Sequence, residues 1–293
     1  MRIAKPIMTD IPILALARDI LNRPAPRASS FIVTIYGDIA APRGGTLWMG
    51  SMIECCARQG ISESLVRTAV SRLVAAGRLE GERVGRRSYY RLTPAAQAEF
   101  SEAARILYSP PPPARGWLLA LGPQRPDSGG WAALGPVAAL APNRADILRP
   151  PDVPVLSTDD LPPEALSDTG ARLWPIEDVA GTYRAFLDVF GPLTEALGDT
   201  SQLDGATALA LRLRLVDAYR RAALPDPRLP PSALPQDWPG TEARDAFVSI
   251  YVAVAETADA EIGRSFGDKT APLPLETPAT RDRISRLLRV ADQ

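Results

Sequence analysis

Four consecutive prolines, Pro110-Pro111-Pro112-Pro113, interrupt this 293-residue chain a little beyond its first third. Proline has a fixed φ and no amide hydrogen to donate. Such a run therefore continues neither a helix nor a central strand and favours a stiff, extended spacer. The residues before it form one block, 29–109. An extension over 1–28 precedes that block and holds a short amphipathic stretch ending at Pro24 and Pro26. Beyond the prolines, 114–172 alternates short apolar runs with Gly and Pro: Trp117–Leu121, Val137–Leu140 and Val153–Leu156 each have strand length and turn residues on both sides. From 173 to 293 apolar residues recur at three and four, predicting helices over Ile176–Phe190, Ala206–Ala223, Thr241–Glu261 and Thr280–Val290. The proline-rich interruption from Leu224 to Gly240 is expected as a loop over the surface of those helices. The class is α+β: an amino-terminal block of helices and a hairpin, a small α+β middle and a mostly helical end.

Composition removes several chemistries. The chain has no histidine, which excludes His-based triads, Cys/His metal spacing and imidazole acid–base catalysis. Cys55 and Cys56 are adjacent, a spacing that rarely makes a comfortable disulfide, so both read as small apolar residues of a core helix in a reducing cytosol. The apolar stretch Ile11–Ile20 falls short of the ~20 residues of a membrane span and is broken by Arg18 and Asp19, with no basic leader and cleavage site. The expectation is a soluble, cytoplasmic protein with no membrane partner, no metal and no cofactor. With 33 basic against 34 acidic residues, any polyanion must be held by a local cluster.

That cluster lies between Ile61 and Thr93. Phe31–Ile39 and Thr46–Arg58 read as helices separated by Pro42-Arg43-Gly44-Gly45. The second ends at Gly60, a candidate left-handed cap, and Ser62 at once supplies the N-cap of a third helix, Glu63–Ala76. Two helices joined by so short a turn have helix-turn-helix spacing. In the third helix Leu65, Val66, Ala69, Val70 and Leu73 form the packing face, while Ser64, Arg67, Thr68, Ser71 and Ala75 lie opposite with Arg72 on the flank. Arg78–Val84 and Ser88–Leu92 then form a hairpin with Gly85-Arg86-Arg87 at its tip, and Thr93-Pro94 opens another helix. Arg67, Arg72, Arg78, Arg83, Arg86, Arg87 and Arg91 stand against Glu63, Glu80 and Glu82, seven minus three, a local charge of +4. The pattern predicts a winged helix-turn-helix that places the Glu63–Ala76 helix in a major groove of double-stranded DNA. Ser62, Ser64, Arg67, Thr68, Ser71 and Arg72 would contact it from the helix, and Arg86, Arg87 and Tyr89 from the wing. A solvated basic face, or a winged helix that grips another protein, is the competing reading.

At these residues the chain resembles the PaaX family of transcriptional repressors. The resemblance rests on Pro42-Arg43-Gly44-Gly45 with Trp48, on Arg67-Thr68-Ala69 followed by Ser71-Arg72-Leu73, and on Gly85-Arg86-Arg87-Ser88-Tyr89-Tyr90-Arg91-Leu92. It continues in Tyr219-Arg220-Arg221, in Asp226-Pro227-Arg228-Leu229-Pro230 and in Asp237-Trp238-Pro239-Gly240, and so spans about 29 to 290. It implies a homodimeric repressor of an aromatic-acid catabolic operon, released from its operator by a thioester such as phenylacetyl-CoA or a related acyl-CoA. It also implies a ferredoxin-like middle domain similar to the CRISPR-associated endoribonuclease fold, whose catalytic aspartate would end the first strand. Here Trp117–Leu121 runs into Gly122 with no acid before Asp127, so no nuclease activity, and no enzyme, is expected. A metal-dependent nuclease remains the enzyme alternative, with Asp146, Asp152, Asp159 and Asp160 as its carboxylates. Many relatives carry histidine where this chain has Asp217. For the effector, Arg184, Arg220 and Arg221 are the candidate phosphate donors and Tyr183, Tyr219 and Trp238 the apolar wall.

Overall fold

Residues 12–122, 130–158 and 170–289 are described by the computed structural model, and they begin with two helices that proline separates. α1 (Ile13–Asn22) stops ahead of Pro24, since the residue before a proline is driven to extended backbone. Its buried residues Ile13, Ala17 and Ile20, four and three apart, form one stripe. That stripe faces two helices of the carboxyl-terminal block, Ile176–Glu195 and Gly205–Ala223, so the described part of the extension is packed into the body of the protein. α2 (Ala28–Ile35) runs on through a π-turn at Tyr36–Ala40 and a 3-10 turn at Ala41–Arg43, where the sequence predicts one plain helix over Phe31–Ile39. The wider π-turn brings Asp38 to a fully buried position.

Thr46–Trp48 is a strand, β1, and not the start of the expected helix, which begins only at Met49 as α3 (Met49–Ala57). β1 is strand because of a partner that local pattern cannot reveal: it pairs antiparallel with β3 (Arg87–Leu92), more than forty residues on. α4 (Glu63–Ala75) and β2 (Leu79–Val84) lie between them, and the sheet order is β1-β3-β2. α5 (Pro94–Tyr108) follows, with the Thr93 hydroxyl accepting the Ala96 N–H at 3.3 Å.

The middle segment is an antiparallel sheet of β4 (Trp117–Leu121), β5 (Ala132–Ala133), β6 (Ala138–Pro142) and β7 (Val155–Thr158), in the order β5-β6-β4-β7. The link from β6 to β7 is turns and coil. Asp127, Asp159 and Asp160 lie outside the described residues. α6 (Ile176–Glu195), α7 (Gly205–Ala223), α8 (Gly240–Ser265) and α9 (Pro278–Leu287) form the helical body. One continuous apolar core runs from Ile13 through Phe31, Met52 and Val66 to Phe247 and Leu287, across both sides of the proline spacer. The loop before α8 is not a surface cover alone. Leu229 and Ala233 share a second core with Trp117 and Trp174, so the loop packs between sheet and helices. Asp146 clamps that joint, paired with Arg144 at 2.8 Å, Arg228 at 2.7 Å and Arg105 at 3.5 Å. Burial pushes its carboxyl up, but these arginines outweigh that and hold it below the ordinary range.

A buried charge hub ties four of the helices to the π-turn. Asp38 pairs with Arg212 of α7 and Arg283 of α9, both at 2.9 Å, and accepts hydrogen bonds from Tyr251 of α8 at 2.8 Å and Tyr108 of α5 at 3.1 Å. Arg212 also meets Asp259 at 2.7 Å, which Arg43 pairs with at the same distance. Burial alone would raise the Asp38 carboxyl; Arg212 and Arg283, with the Tyr251 hydroxyl, hold it below its ordinary value. The two cysteines are buried and unpaired, and burial pushes the Cys56 thiol up to about 12, so neither is a reactive thiolate at neutral pH.

Candidate nucleic-acid interface

Two glycines shape the surface that the arginine cluster occupies. Gly60 at φ 75° ends the turn after α3: its N–H reaches Ala57 O at 3.0 Å while Ile61 N–H reaches Cys56 O at 3.1 Å, the paired bonds of a Schellman cap. Gly77 at φ 66° repeats the device after α4, with Arg78 N–H on Leu73 O at 2.9 Å. α4 is thus held between two sharp reversals. Ser62 occupies the N-cap position, but its hydroxyl lies 3.2 Å from that of Ser64 and caps no backbone N–H. Val66, Ala69 and Val70 are buried in the common core and Leu73 is partly buried, as the spacing predicts. Leu65 departs from that face: it is 56% exposed. An apolar side chain on the free surface of such a helix is suited to a thymine methyl, and its assignment to the packing face hid it.

Ser62, Ser64, Arg67, Thr68, Ser71 and Arg72 are all exposed along α4. Thr68 donates to Ser64 O at 2.8 Å, and Arg67 is paired with Glu63 one turn back at 2.7 Å. Beside α4 the hairpin closes through Gly85 and Arg86, with Val84 opposite Arg87. Gly85 takes φ 60° and Arg86 does not take positive φ, the two-residue turn whose twist suits a hairpin and whose first position favours glycine. Arg86 is exposed at the tip. Arg87 instead lays its guanidinium over the Trp48 ring, 4.7 Å from the centroid. Tyr89 is a correction: it shares the sheet face of exposed Arg87 and Arg91, but it lies between its cross-strand neighbours Trp48 and Glu82 and is only 4% exposed, so little of its side chain is offered to a partner.

The +4 count also needs its partners. Arg67 meets Glu63, Arg91 meets Glu80 at 2.7 Å, Arg78 meets Glu99, and Glu82 is met by Lys269 from the loop before α9. Among the described residues, the cations of α4 and the hairpin without a carboxylate partner are Arg72, Arg83, Arg86 and Arg87. The free positive charge is therefore concentrated at the flank of α4 and the end of the hairpin.

The six effector candidates are not gathered into one site. Tyr183 and Tyr219 are core residues, each 3% exposed, in an aromatic stack where Tyr219 lies 4.1 Å from the Phe247 ring and Tyr183 donates to Asp226 at 2.8 Å. Trp238 sits edge-on to Tyr183 at 5.7 Å. Arg184 is on the surface, paired with Glu177 at 2.9 Å and Asp237 at 3.1 Å. Arg220 and Arg221 stand apart, beside Asp217 on the carboxyl-terminal turns of α7. For the nuclease alternative, Asp146 is already held by three arginines, and among the described residues no three carboxylates or thiols come together as metal ligands would.

Known proteins share this arrangement of sequence. Residues 27–96 match the family described as PaaX-like protein, and residues 174–263 match the one described as PaaX-like protein C-terminal domain. The transcriptional repressor PaaX of Escherichia coli strain K12 is 31% identical over 272 residues, 84% of this chain and 86% of its own. The chain belongs to the PaaX family. A solved structure, the uncharacterized protein Rv0674 from Mycobacterium tuberculosis, gives a TM-score of 0.42 at 23% identity, over 72% of this chain and 89% of that one. That likeness is too slight to bear on the fold. No helix among the described residues is long and apolar enough to cross a membrane.

Proposed function

We propose that this PaaX family member is a DNA-binding transcriptional repressor whose residues 29–109 form a winged helix-turn-helix. The observation that carries the reading is the free face of α4. It offers hydroxyls, Arg67 and Arg72 with no carboxylate after Glu63, and the unpaired Arg86 stands on the adjoining hairpin tip. Arginine there can read guanine edges, the hydroxyls can reach phosphates or base edges, and Arg86 supplies a sequence-independent phosphate contact. The E. coli relative is by its name a transcriptional repressor. The protein acts as a homodimer, since two recognition helices spaced by about one helical turn, ~34 Å, read two half-sites. The strand order β5-β6-β4-β7 supports a ferredoxin-like reading of the middle segment, although turns replace a helix between β6 and β7.

The effector is an aryl-CoA thioester such as phenylacetyl-CoA, which releases the operator by favouring a dimer geometry that no longer fits both half-sites. The test is a gel-shift titration on the DNA upstream of the protein's own gene, at two salt concentrations, with and without phenylacetyl-CoA. Tight binding that weakens with salt and is abolished by the thioester is the expected result. Binding indifferent to salt would instead fit a winged helix that contacts protein.

A further inference from the structure

A groove of about 690 Å³ opens between the base of α4 and of the hairpin on one side and α2 and α7 on the other. Leu73, Leu79 and Leu92 form one wall and Val33 and Arg220 the other. A second hollow of about 410 Å³ lies between the 23–27 segment and helices α6 and α7, with Phe186, Val189 and Phe190 on its floor. The two meet at a shared pair of side chains, Arg27 and Arg221, which line both.

The charge on these walls is one-sided. Arg23, Arg27, Arg78, Arg214, Arg220 and Arg221 face the two hollows, against one carboxylate in their lining, Asp217, while Arg78 also meets Glu99 and Arg23 meets Asp19 at 3.6 Å. Asp217 is buried and already accepts from Ser30 at 3.0 Å and Thr34 at 3.1 Å, with Arg221 at 3.2 Å. The Arg220 Nε is nonetheless buried with no hydrogen-bond partner, 3.6 Å from Asp217 Oδ1, which is uncommon in a finished core. Burial pushes the Arg214 guanidinium down, and Arg221 and Arg23 add to that against the pull of Asp217. The Arg27 side chain is exposed and makes no ion pair among the described residues. Guanidinium groups crowded in this way are suited to phosphate oxygens, and the leucine and phenylalanine walls to a hydrocarbon chain or ring.

We propose that this double groove binds an elongated amphipathic anion, an acyl or aryl group joined to phosphate, and that it is the site through which an effector acts on DNA binding. The inference rests on the reading of the chain as a ligand-released repressor and adds the place where the ligand sits. One wall is the last turn of α4 and the root of the hairpin, and the other is the helical body. A ligand that fits best when these walls are apart re-aims α4 by as much as its affinity differs between the two arrangements.

The experiment is isothermal titration calorimetry of the full-length chain with three probes: phenylacetyl-CoA, phenylacetate, and dodecyl phosphate below its micelle concentration. We expect phenylacetyl-CoA and dodecyl phosphate to bind and phenylacetate to bind at least about tenfold more weakly. Arg27→Glu weakens both phosphate probes by about tenfold or more, while Arg184→Glu, on the opposite face of α6 and paired with Glu177 and Asp237, stays within about twofold of the parent. In the gel shift the Arg27→Glu protein still forms the DNA complex and resists release by the thioester. Undiminished binding by Arg27→Glu, or loss of binding in Arg184→Glu, overturns the groove while leaving the thioester effector standing. Arg27-dependent binding of dodecyl phosphate without any binding of phenylacetyl-CoA does the reverse. Wild-type protein that binds none of the three, or that binds phenylacetate as well as the others, overturns the groove as a phosphate site.

Discussion

Two sets of arginines in this protein occupy opposite surroundings. Arg212 and Arg283 lie inside the helical body, each locked to Asp38 at 2.9 Å, and through Arg212 and Arg43 the hub extends to Asp259. Arg72 and Arg86 lie on α4 and the hairpin with no carboxylate partner among the described residues. A buried ion pair costs desolvation of both groups, so its removal by halves is severe and its net gain is small. An exposed, unpaired guanidinium costs the fold nothing and keeps its charge for a polyanion. The first set holds the body together, and the second gives that body something to do.

The largest way to break this comparison is Arg212→Met. It leaves Asp38 and Asp259 short of a buried cation and should cost about 3–5 kcal/mol in urea unfolding. An equal loss from Arg86→Ala would mean that the two regions do not differ as described. Next comes pH. The Asp38 carboxyl is depressed in the folded state, so its contribution is present above the ordinary carboxylate range and is lost as pH falls through that range to the lowered folded value. Acid unfolding curves should therefore be steeper for the parent than for Asp38→Asn, and parallel curves would remove Asp38 from the hub. Asp146 has the same sign and keeps part of the slope in that variant.

Smaller effects sharpen the DNA side. Arg67→Ala should relax base preference by about 1–3 kcal/mol between the best and a mismatched site, measured by competition gel shift, because Arg67 must leave Glu63 to read a base. Arg86→Ala should weaken binding to all sequences alike and lower the log–log salt slope by about 0.9, one phosphate contact. Both variants should unfold within about 0.5 kcal/mol of the parent. If Arg86→Ala changes base preference and Arg67→Ala the salt slope, the roles of helix and hairpin are exchanged.

Much of the architecture is legible in the amino-acid order. The four carboxyl-terminal helices, the three apolar runs that become β4, β6 and β7, the Gly60 cap and the hairpin around Gly85 follow from short-range periodicity and from residues that tolerate positive φ. Eight of the nine residues expected to contact DNA are exposed: Ser62, five on α4, and Arg86 and Arg87 on the hairpin. The failures share one character. Thr46–Trp48 has the local pattern of a helix start because its strand partner is distant, and Tyr89 is covered because Trp48 of β1 and Glu82 of β2 flank it on its own face of the sheet. Leu65 lies at the edge of its helical stripe, where spacing alone does not say whether a neighbour is present.

By itself the amino-acid order determined which segments coil, which extend and where the chain turns, since these depend on neighbours three or four residues away and on the backbone freedom of glycine and proline. Only the tertiary structure decided what each charge meets. Asp38 and Arg212 are 174 residues apart in number and 2.9 Å apart in space, Lys269 returns to cancel Glu82, and Arg27 and Arg221 come to line one groove. Coulomb energy and desolvation depend on distance and on exclusion of water, and a sequence records neither until the chain is packed.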